Sequence, residues 1–309
     1  MESKRLRQIK IRHLAAFVEI LRCGSFKAAA ERIALTQPTI SKTLRELEEI
    51  LGAPLLLRDR SGIALTPEGA VFRQFAEQSL AALNHGLASL DALSTGATAP
   101  LRIGALPSVA ADLLPDVIVA FAEISPATPV MVEDGRIGAL VERLRAGALD
   151  LVVGRLALPE TMGGLSFTQL YAEQVIFAVA AGHPLAATRD LAALEHWPVL
   201  YPPKDAAIRP LIDRYLIARG IGDWSRRIET VSDTFGRAMT LGPAGAVWII
   251  SQGVVARDIA AGRMARLPLE TDEMSGPVGI MARAEEDPSP PVRLFRQALL
   301  AAVRGGASA

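Results

Sequence analysis

Hydrophobic residues near the N-terminus recur every three or four positions, which is the spacing of helices that bury one face. Ser25 and Thr36 each precede one of these stripes and can cap the helix that follows, whereas Gly24 ends the first stripe. The pattern predicts three short helices around one core. Their buried positions are Leu14, Phe17, Val18 and Leu21, then Phe26, Ala29, Ala30 and Ile33, then Ile40, Leu44, Leu47 and Leu51.

The third helix has a polar face opposite its apolar stripe. Short hydroxyl and amide side chains near a helix N-terminus can contact base edges in a DNA major groove, while cations and free helix amides attract phosphate. An ordinary solvated helix face is the alternative. The outward positions are Gln37, Pro38, Thr39, Ser41, Lys42 and Arg45.

The segment "PLLLRDRSGIALTPEG", residues 54–69, follows this helix. It predicts two short strands joined at "DRSG", with Arg58 and Arg60 near the turn. Three helices and a two-stranded wing make up a winged helix-turn-helix, a DNA-binding fold. We therefore predict a DNA-binding domain over residues 1–66.

A long helix is predicted next, over residues 67–94, with Thr66 as its cap and Pro67 in its first turn. Its apolar positions form one narrow seam, which suits pairing with a second chain or packing against its own chain. The segment "STGATAP" follows, and its composition predicts a flexible hinge at residues 95–100. The seam comprises Phe72, Ala76, Leu80, Leu83, Leu87 and Leu90.

After residue 100, short apolar runs alternate with helical patterns, as in "LRIGAL", "ADLLPDVIVAFAEI" and "VMVED". This order predicts an α/β body with parallel sheets and helices on both faces. Two lobes are expected within residues 101–309. The first covers about 101–172 and 276–309, and the second about 173–275.

Ligands of such sheets bind where the strands end and helix N-termini converge. Ser108 starts a helix whose free N–H groups can hold an anion, and Arg155 ends a strand where a guanidinium can pair with a carboxylate. Capping of a helix or turn is the alternative for each polar residue. The predicted effector-binding residues are Pro107, Ser108, Val109, Gly135, Arg136, Gly154, Arg155, Tyr201, Ser232, Asp233 and Thr234.

Charge is distributed unevenly along a chain whose formal net charge is zero. Residues 1–66 contain 12 Lys and Arg against 7 Asp and Glu, a surplus of +5, so the remainder carries −5. A basic module that meets a polyanion, joined to an acidic body, accounts for this asymmetry, although scatter is the alternative. The single cysteine, Cys23, excludes an internal disulfide and fits a reducing cytoplasm. Neither a signal peptide nor a long apolar run occurs, so we expect no membrane partner.

Catalytic motifs are absent from the sequence. The four histidines, His13, His85, His183 and His196, are dispersed, and no H-E-x-x-H, G-x-S-x-G or phosphate-binding glycine motif occurs. We therefore expect no enzyme activity, no metal and no cofactor. A cytoplasmic enzyme that binds a small molecule on the same lobes is the remote alternative.

The stretch "FKAAAERIALTQPTISKTLRELEEILGAPLLLR", followed by "LTPEG", resembles the winged helix-turn-helix of LysR-type transcriptional regulators. The resemblance implies that Gln37, Pro38, Ser41 and Lys42 lie against double-stranded DNA, with Arg58 on the wing side. Thr39 and Arg45 are added because they share the exposed face. The predicted DNA-binding set also includes Ser25, Phe26, Thr36 and Arg60.

Further expectations follow from the resemblance. It implies that the long helix dimerises, that the body resembles periplasmic binding proteins, and that a homodimer or tetramer works with RNA polymerase as an activator. Segments such as "RIGALPSV" and "IETVSDTFGRA" are similar to the subgroup of activators of protocatechuate-degradation (pca) genes and galactose-binding-protein regulators. This subgroup implies a small organic acid or a sugar as coinducer. We expect a di- or tricarboxylate of aromatic catabolism, with galactose as the alternative.

Overall fold

The computed structural model describes residues 2–59, 62–95, 98–157, 159–222, 224–284 and 286–306. These residues belong to two compact units. The first unit comprises residues 1–97 together with 145–148, and the second comprises residues 98–144 and 149–309.

The first unit contains the predicted three helices and the wing. The N-terminal helix α1 was not predicted, because its sequence "ESKRLRQ" has only Leu6 as an apolar residue and therefore no stripe. The wing strands are antiparallel, with Leu56 opposite Leu65. The elements are α1 (Glu2–Gln8), α2 (Ile11–Cys23), α3 (Phe26–Arg32), α4 (Gln37–Leu51), β1 (Leu56–Asp59), β2 (Gly62–Leu65) and α5 (Pro67–Thr95).

Side-chain caps begin the helices that were predicted from the apolar stripes. The Ser25 hydroxyl accepts a hydrogen bond from the Ala28 amide at the start of α3, and the Thr36 hydroxyl accepts one from the Thr39 amide at the start of α4. Thr66 Oγ1 accepts a bond from the Gly69 amide at the start of α5. These bonds satisfy amides that have no partner within their own helix. One core joins α2, α3, α4 and the first turns of α5.

The seam of α5 divides into two halves. Phe72, Ala76 and Leu80 pack against the core of their own unit, and the Phe72 ring lies 5.8 Å from that of Phe17. This part of the predicted dimer seam is therefore an intrachain contact. Leu83, Leu87 and Leu90 lie beyond that core and are 38%, 52% and 63% exposed. Among the residues described, no helix is long and apolar enough to cross a membrane.

The second unit is an α/β body, as predicted, and it contains the longest strand, β6. Short 3-10 helices occur at Pro159–Thr161, Leu191–His196 and Asp272–Met274. The remaining elements are β3 (Leu101–Ala105), α6 (Pro107–Ala111), α7 (Leu113–Ile124), β4 (Val130–Asp134), α8 (Ile137–Arg145), β5 (Leu151–Arg155), β6 (Leu165–Ala180), β7 (Val199–Tyr201), α9 (Arg209–Ala218), β8 (Arg227–Glu229), α10 (Asp233–Leu241), β9 (Val247–Ser251), α11 (Gln252–Ala260), β10 (Met264–Arg266), β11 (Ser275–Arg283) and α12 (Pro290–Gly306).

In the described ranges the strands form one nine-stranded sheet, ordered β4-β3-β5-β11-β6-β9-β7-β8, with β10 also paired to β6. Strands β4, β3 and β5 are parallel, as are β8, β7 and β9. Strands β6 and β11 are antiparallel to their neighbours, so the expectation of purely parallel sheets was wrong. The sheet is mixed because the long strand β6 extends through both lobes and pairs with antiparallel neighbours in each. Its first part pairs with β11 and its second part with β9 and β10.

Two hydrophobic cores lie at opposite ends of this sheet. The first lobe consists of β3, β4, β5 and β11 with α6, α7, α8 and α12, and its largest core includes Phe121 and Phe295. The second lobe consists of β7–β10 with α9–α11, and its largest core includes Phe177 and Tyr215. Because β6 belongs to both lobes, the positions of its polar residues are fixed relative to both.

Two glycines in helices of the second unit test this packing. A Cβ added at Gly236 in α10 would lie 2.3 Å from the Trp248 ring on β9, whereas one added at Gly138 in α8 meets nothing within 4 Å. We expect Gly236→Ala to lower the free energy of unfolding by about 1–3 kcal/mol, because the rigid ring and the helix must separate. Gly138→Ala should instead raise it by up to about 1 kcal/mol, through helix propensity.

Urea unfolding followed by tryptophan fluorescence measures this difference, since the three tryptophans, Trp197, Trp224 and Trp248, all lie in the second lobe. Equal midpoints for the two variants would contradict the packing of α10 on β9.

Candidate functional site

The outer face of α4 presents the predicted polar residues. Gln37, Pro38, Thr39, Lys42 and Arg45 are exposed, and Ser41 is half-buried. The opposite face is closed off, since the buried positions are Ile40, Thr43, Leu44 and Leu47. The Thr36 and Thr39 hydroxyls are 2.8 Å apart at the start of the helix. The helix thus offers hydroxyl, amide and cationic groups on one surface, with no acidic residue in its first turn.

Two glutamates on the other sides of α4 fix its position. Glu46 accepts a hydrogen bond from Arg12 at 3.2 Å, and its carboxylate lies 3.4 Å from Nε2 of the buried His13 on α2. Glu48 Oε1 accepts bonds from the amides of Leu55 and Leu56, at 2.8 and 3.3 Å. The first glutamate therefore ties α4 to α2, and the second ties it to the start of the wing.

Other predicted DNA-binding residues have different placements. The prediction that Phe26 contacts DNA was wrong. Its side chain is 8% exposed and packs in the core of the first unit. Ser25 is half-buried and caps α3. The backbone of Arg58 lies in β1, opposite Ile63. Arg60 lies outside the described residues.

A cavity of about 230 Å³ lies in the second unit, where strands of both lobes end. Its polar lining residues include Ser108 and Arg155 from the first lobe and Asp233 from the second. Pro107, Gly135 and Arg136 line it as well. Much of the wall is apolar and includes Leu106, Ile137, Pro202, Ile208, Val231 and Ile250. Six of the predicted effector residues therefore line one cavity: Pro107, Ser108, Gly135, Arg136, Arg155 and Asp233.

A buried ion pair lies beside this cavity, through Arg155 of its lining. Arg155 Nη2 lies 3.3 Å from Glu173 Oε2 and donates to the Glu173 carbonyl at 3.0 Å. The Ser108 hydroxyl donates to the same carboxylate at 3.0 Å, and the Gly253 amide donates to its other oxygen at 3.2 Å. Ser251 Oγ accepts from Arg155 at 3.4 Å. The network joins β5, β6, α6, β9 and α11.

The guanidinium of Arg155 is only partly satisfied. Burial lowers its pKa and the neighbouring Glu173 raises it, but the group remains a cation. Burial raises the pKa of the Glu173 carboxyl, while Arg155 and the Ser108 hydroxyl lower it. Nε and Nη1 of Arg155 are buried without a hydrogen-bond partner among the described residues. A buried N–H without a partner is costly, so an acceptor that reaches these two groups would stabilise the site.

Gly253 is required by this geometry. A Cβ at this position would lie 2.6 Å from the Ser108 carbonyl oxygen and 2.7 Å from Glu173 Oε1. The first turn of α11 can therefore approach both residues only when position 253 has no side chain.

The mouth of the cavity carries a second ion pair between the lobes. Arg136, at the start of α8, pairs with Asp205, which follows β7, and both side chains are about half exposed. Asp134 at the end of β4 and Asp233 at the start of α10 line the same cavity.

Five predicted effector residues do not line the cavity. Val109 is fully buried in the core of the first lobe, and Gly154 packs against the Leu106 side chain. Ser232 caps α10 by accepting a bond from the Phe235 amide at 3.2 Å. Thr234 is exposed on α10, outside the lining. Capping, rather than ligand contact, is the role seen for Ser232.

Tyr201 is the fifth predicted effector residue that does not line the cavity. Its ring belongs to the core of the second lobe. Its hydroxyl donates to Asp213 at 2.9 Å, and the Arg209 guanidinium lies 4.5 Å from the ring centre. Arg209 also donates to Asp213 and to the Pro202 carbonyl. Tyr201 and Arg209 thus anchor the 202–208 segment, which lines the cavity.

Sequence reasoning missed Glu173, Ser251, Asp134 and Asp205. Glu173 had one visible signal, since it is a lone carboxylate just before the apolar run "VIFAVA" of β6. A charge at the edge of a buried strand needs a partner, but its identity depends on strand register. Across the described ranges, no group of three or more His, Cys, Asp or Glu side chains is placed to hold a metal ion.

Comparisons with known proteins match both parts of the chain. The family model "Bacterial regulatory helix-turn-helix protein, lysR family" matches residues 11–70, and the model "LysR substrate binding domain" matches residues 94–304. The HTH-type transcriptional regulator PcaQ of Agrobacterium fabrum is 45% identical over 94% of this chain and 94% of its own length. The uncharacterised HTH-type transcriptional regulator YdcI of Escherichia coli is 33% identical over 90% of this chain and 91% of its own length.

A solved structure agrees in fold. Full-length CbnR, complexed with its target DNA, matches 95% of this chain and 100% of its own chain, with a TM-score of 0.54 and 22% identity. The two family models together match most of the chain, and the two relatives cover 94% and 90% of it. The chain therefore belongs to the LysR family of transcriptional regulators.

Proposed function

We propose that this regulator binds promoter DNA as a dimer through the outer face of α4 and responds to a small organic acid held in the cavity of the second unit. The observation that carries the effector assignment is Arg155, whose buried Nε and Nη1 lack partners beside that cavity. Like other DNA-bound regulators it would work in the cytoplasm, with RNA polymerase as a partner and without enzymatic activity. The similarity to PcaQ supports activation of pca genes.

The DNA-binding part of the proposal rests on the exposed face of α4. Gln37 and Ser41 carry the groups that hydrogen-bond base edges, whereas Lys42 and Arg45 carry charges that pair with phosphates. Because Glu46 and Glu48 tie α4 to α2 and to the wing, this face is held rigidly. A rigid polar helix face is what docking in a major groove requires.

Dimerisation rests on the distal half of α5. Leu83, Leu87 and Leu90 expose apolar side chains at helical spacing, beyond the part of the helix that their own unit covers. A second copy of α5 would bury them and would place two recognition helices on one operator.

The organic acid is favoured over galactose by the lining of the cavity. Among the residues that the structure describes, no aromatic side chain lines it, and sugar sites in proteins use aromatic rings as platforms. Arg155 instead supplies a permanent cation with two unused N–H groups, and planar guanidinium groups bind carboxylates well.

The DNA contact is tested by measuring promoter affinity over a range of salt concentrations, by fluorescence anisotropy. Lys42→Ala and Arg45→Ala should each weaken binding and reduce the salt slope by about one unit, because each removes a phosphate contact. Gln37→Ala and Ser41→Ala should reduce the preference for the operator over unrelated DNA. Arg214→Ala, an exposed cation on α9, is the control and should change neither quantity. Unchanged promoter binding by a combined Gln37, Ser41 and Lys42 alanine variant would refute the assignment.

The dimer seam is tested with Leu83→Asp. An unpaired carboxylate at a buried interface should raise the dimer dissociation constant by more than about tenfold, with a parallel loss of operator binding. Asn84→Asp adds the same charge one residue further on, about 100° around the helix, and should have little effect. Sedimentation of both variants at micromolar concentration measures the difference. A Leu83→Asp variant that stays dimeric would show that α5 does not pair through this seam.

The effector site is tested with Arg155→Met combined with Glu173→Gln, since removing both charges leaves neither buried alone. This double variant should keep its fold and its operator binding but lose the transcriptional response to organic acids. Glu173→Gln alone should bind an acid more tightly than the native protein, because Arg155 is no longer neutralised. An undiminished response in the double variant would exclude Arg155 from the site.

A further inference from the structure

The charges around the cavity do not balance. Arg155 is paired with Glu173 and Arg136 is paired with Asp205, so both cations of the lining are already neutralised. Two lining carboxylates have no hydrogen-bond partner among the described residues: Asp134 and Asp233. The lining of the cavity therefore has a surplus of negative charge.

These two carboxylates come from different lobes. Asp134 is the last residue of β4, and Asp233 is the first residue of α10. Arg237, one turn along α10, does not hold Asp233, because it donates to Asp258 at 2.7 Å and to the Val254 carbonyl at 2.9 Å. The first-turn amide of Phe235 is used by Ser232.

The electrostatics agree with this geometry. Burial raises the pKa of the Asp233 carboxyl, Arg237 lowers it, and the charge of Asp134 raises it further. The two carboxylates line the same cavity, and their negative charges repel each other. A ligand group that donates hydrogen bonds to both would relieve that repulsion, whereas a ligand carboxylate would add a third negative charge.

Arg155 adds groups of the opposite kind to the same lining. It is 4% exposed, and its Nε and Nη1 N–H groups have no acceptor among the described residues. The lining thus combines donors on Arg155, acceptors on the two aspartates and apolar walls. A ligand that matches it has an acceptor, an apolar part and hydrogen-bond donors.

We propose that the effector is a hydroxylated carboxylic acid, whose carboxylate accepts from Arg155 and whose hydroxyls donate to Asp134 and Asp233. This inference rests on the proposed function and narrows it, since it replaces the expected di- or tricarboxylate. Aromatic hydroxy acids and sugar acids share this chemistry. In either case the hydroxyls contact both lobes at once, so the ligand stabilises the present arrangement of the two lobes.

Calorimetric titration of the full-length protein tests the proposal. The probes 3,4-dihydroxybenzoate and galactonate carry a carboxylate and hydroxyls, benzoate and cis,cis-muconate lack hydroxyls, and galactose lacks a carboxylate. We expect one of the two hydroxy acids to bind at least about tenfold more tightly than the other three probes. Benzoate and muconate would leave the aspartates unpaired, and galactose would leave Arg155 without an acceptor. Which hydroxy acid binds distinguishes an aromatic from a sugar-acid effector.

Variants identify the groups that contact the hydroxyls. In Asp134→Ala combined with Asp233→Ala, the preference for the hydroxy acid over benzoate should fall to about twofold or less, because no acceptor remains. Asp287→Ala removes an exposed carboxylate outside the cavity and should keep the full preference. The probe series on the native protein is independent of whether the double variant folds.

Three outcomes would overturn the proposal: no binding of either hydroxy acid, binding of benzoate or muconate as tight as that of the hydroxy acid, or a preference that persists without both aspartates. Tight muconate binding that is lost with Arg155→Met and Glu173→Gln would leave the organic-acid effector standing and remove only the role of the hydroxyls. If galactose were the only probe that binds, both the organic-acid effector and the hydroxy-acid proposal would be refuted.

Discussion

The buried ion pair between Arg155 and Glu173 is the interaction on which the second unit depends. A buried carboxylate needs hydrogen bonds as well as its cation, and Glu173 receives them from Ser108 and from the Gly253 amide. Those partners begin α6 in the first lobe and α11 in the second. The pair therefore fixes the start of a helix from each lobe against β6, the strand that both lobes share. Removal of Arg155 alone would leave Glu173 buried without its cation, so the variant that removes the arginine also neutralises the glutamate.

This arrangement also determines how a ligand can act on the protein. A ligand shifts a conformational equilibrium only through its different affinity for the two states. Arg155 lies on the first lobe, while Asp134 and Asp233 lie on opposite lobes. An effector that uses all three side chains binds only when the lobes have their present separation. The ion pair of Arg136 with Asp205 spans the same gap and already favours that separation without ligand. Effector binding and this pair thus stabilise the same arrangement of the lobes.

Local pattern predicted some elements well and failed for others. Helices α2, α3 and α4 follow from apolar residues three or four positions apart, together with Ser25 and Thr36 as caps. Ser108 and Arg155 were predicted because strand ends converge in any such sheet. The mixed sheet was missed because nothing in the 16 residues of β6 shows that it pairs with β11 in one lobe and β9 in the other. Glu173 was missed for the same reason, since its partners lie 18 to 80 residues away in sequence.

The charge of the cavity lining could not be predicted from the sequence. The surplus of acidic residues after position 66 is visible in the sequence, but it does not predict the charge of the cavity. That charge depends on which cations are already paired, and the pairs of Arg155 and Arg136 join residues 18 and 69 positions apart. Arg155 alone indicated a site for anions. Once Glu173 neutralises it, the carboxylates of Asp134 and Asp233 determine the remaining charge of the lining. A strand-end arginine therefore predicts where a carboxylate binds, whereas the number of carboxylates on the ligand depends on pairings that only the fold creates.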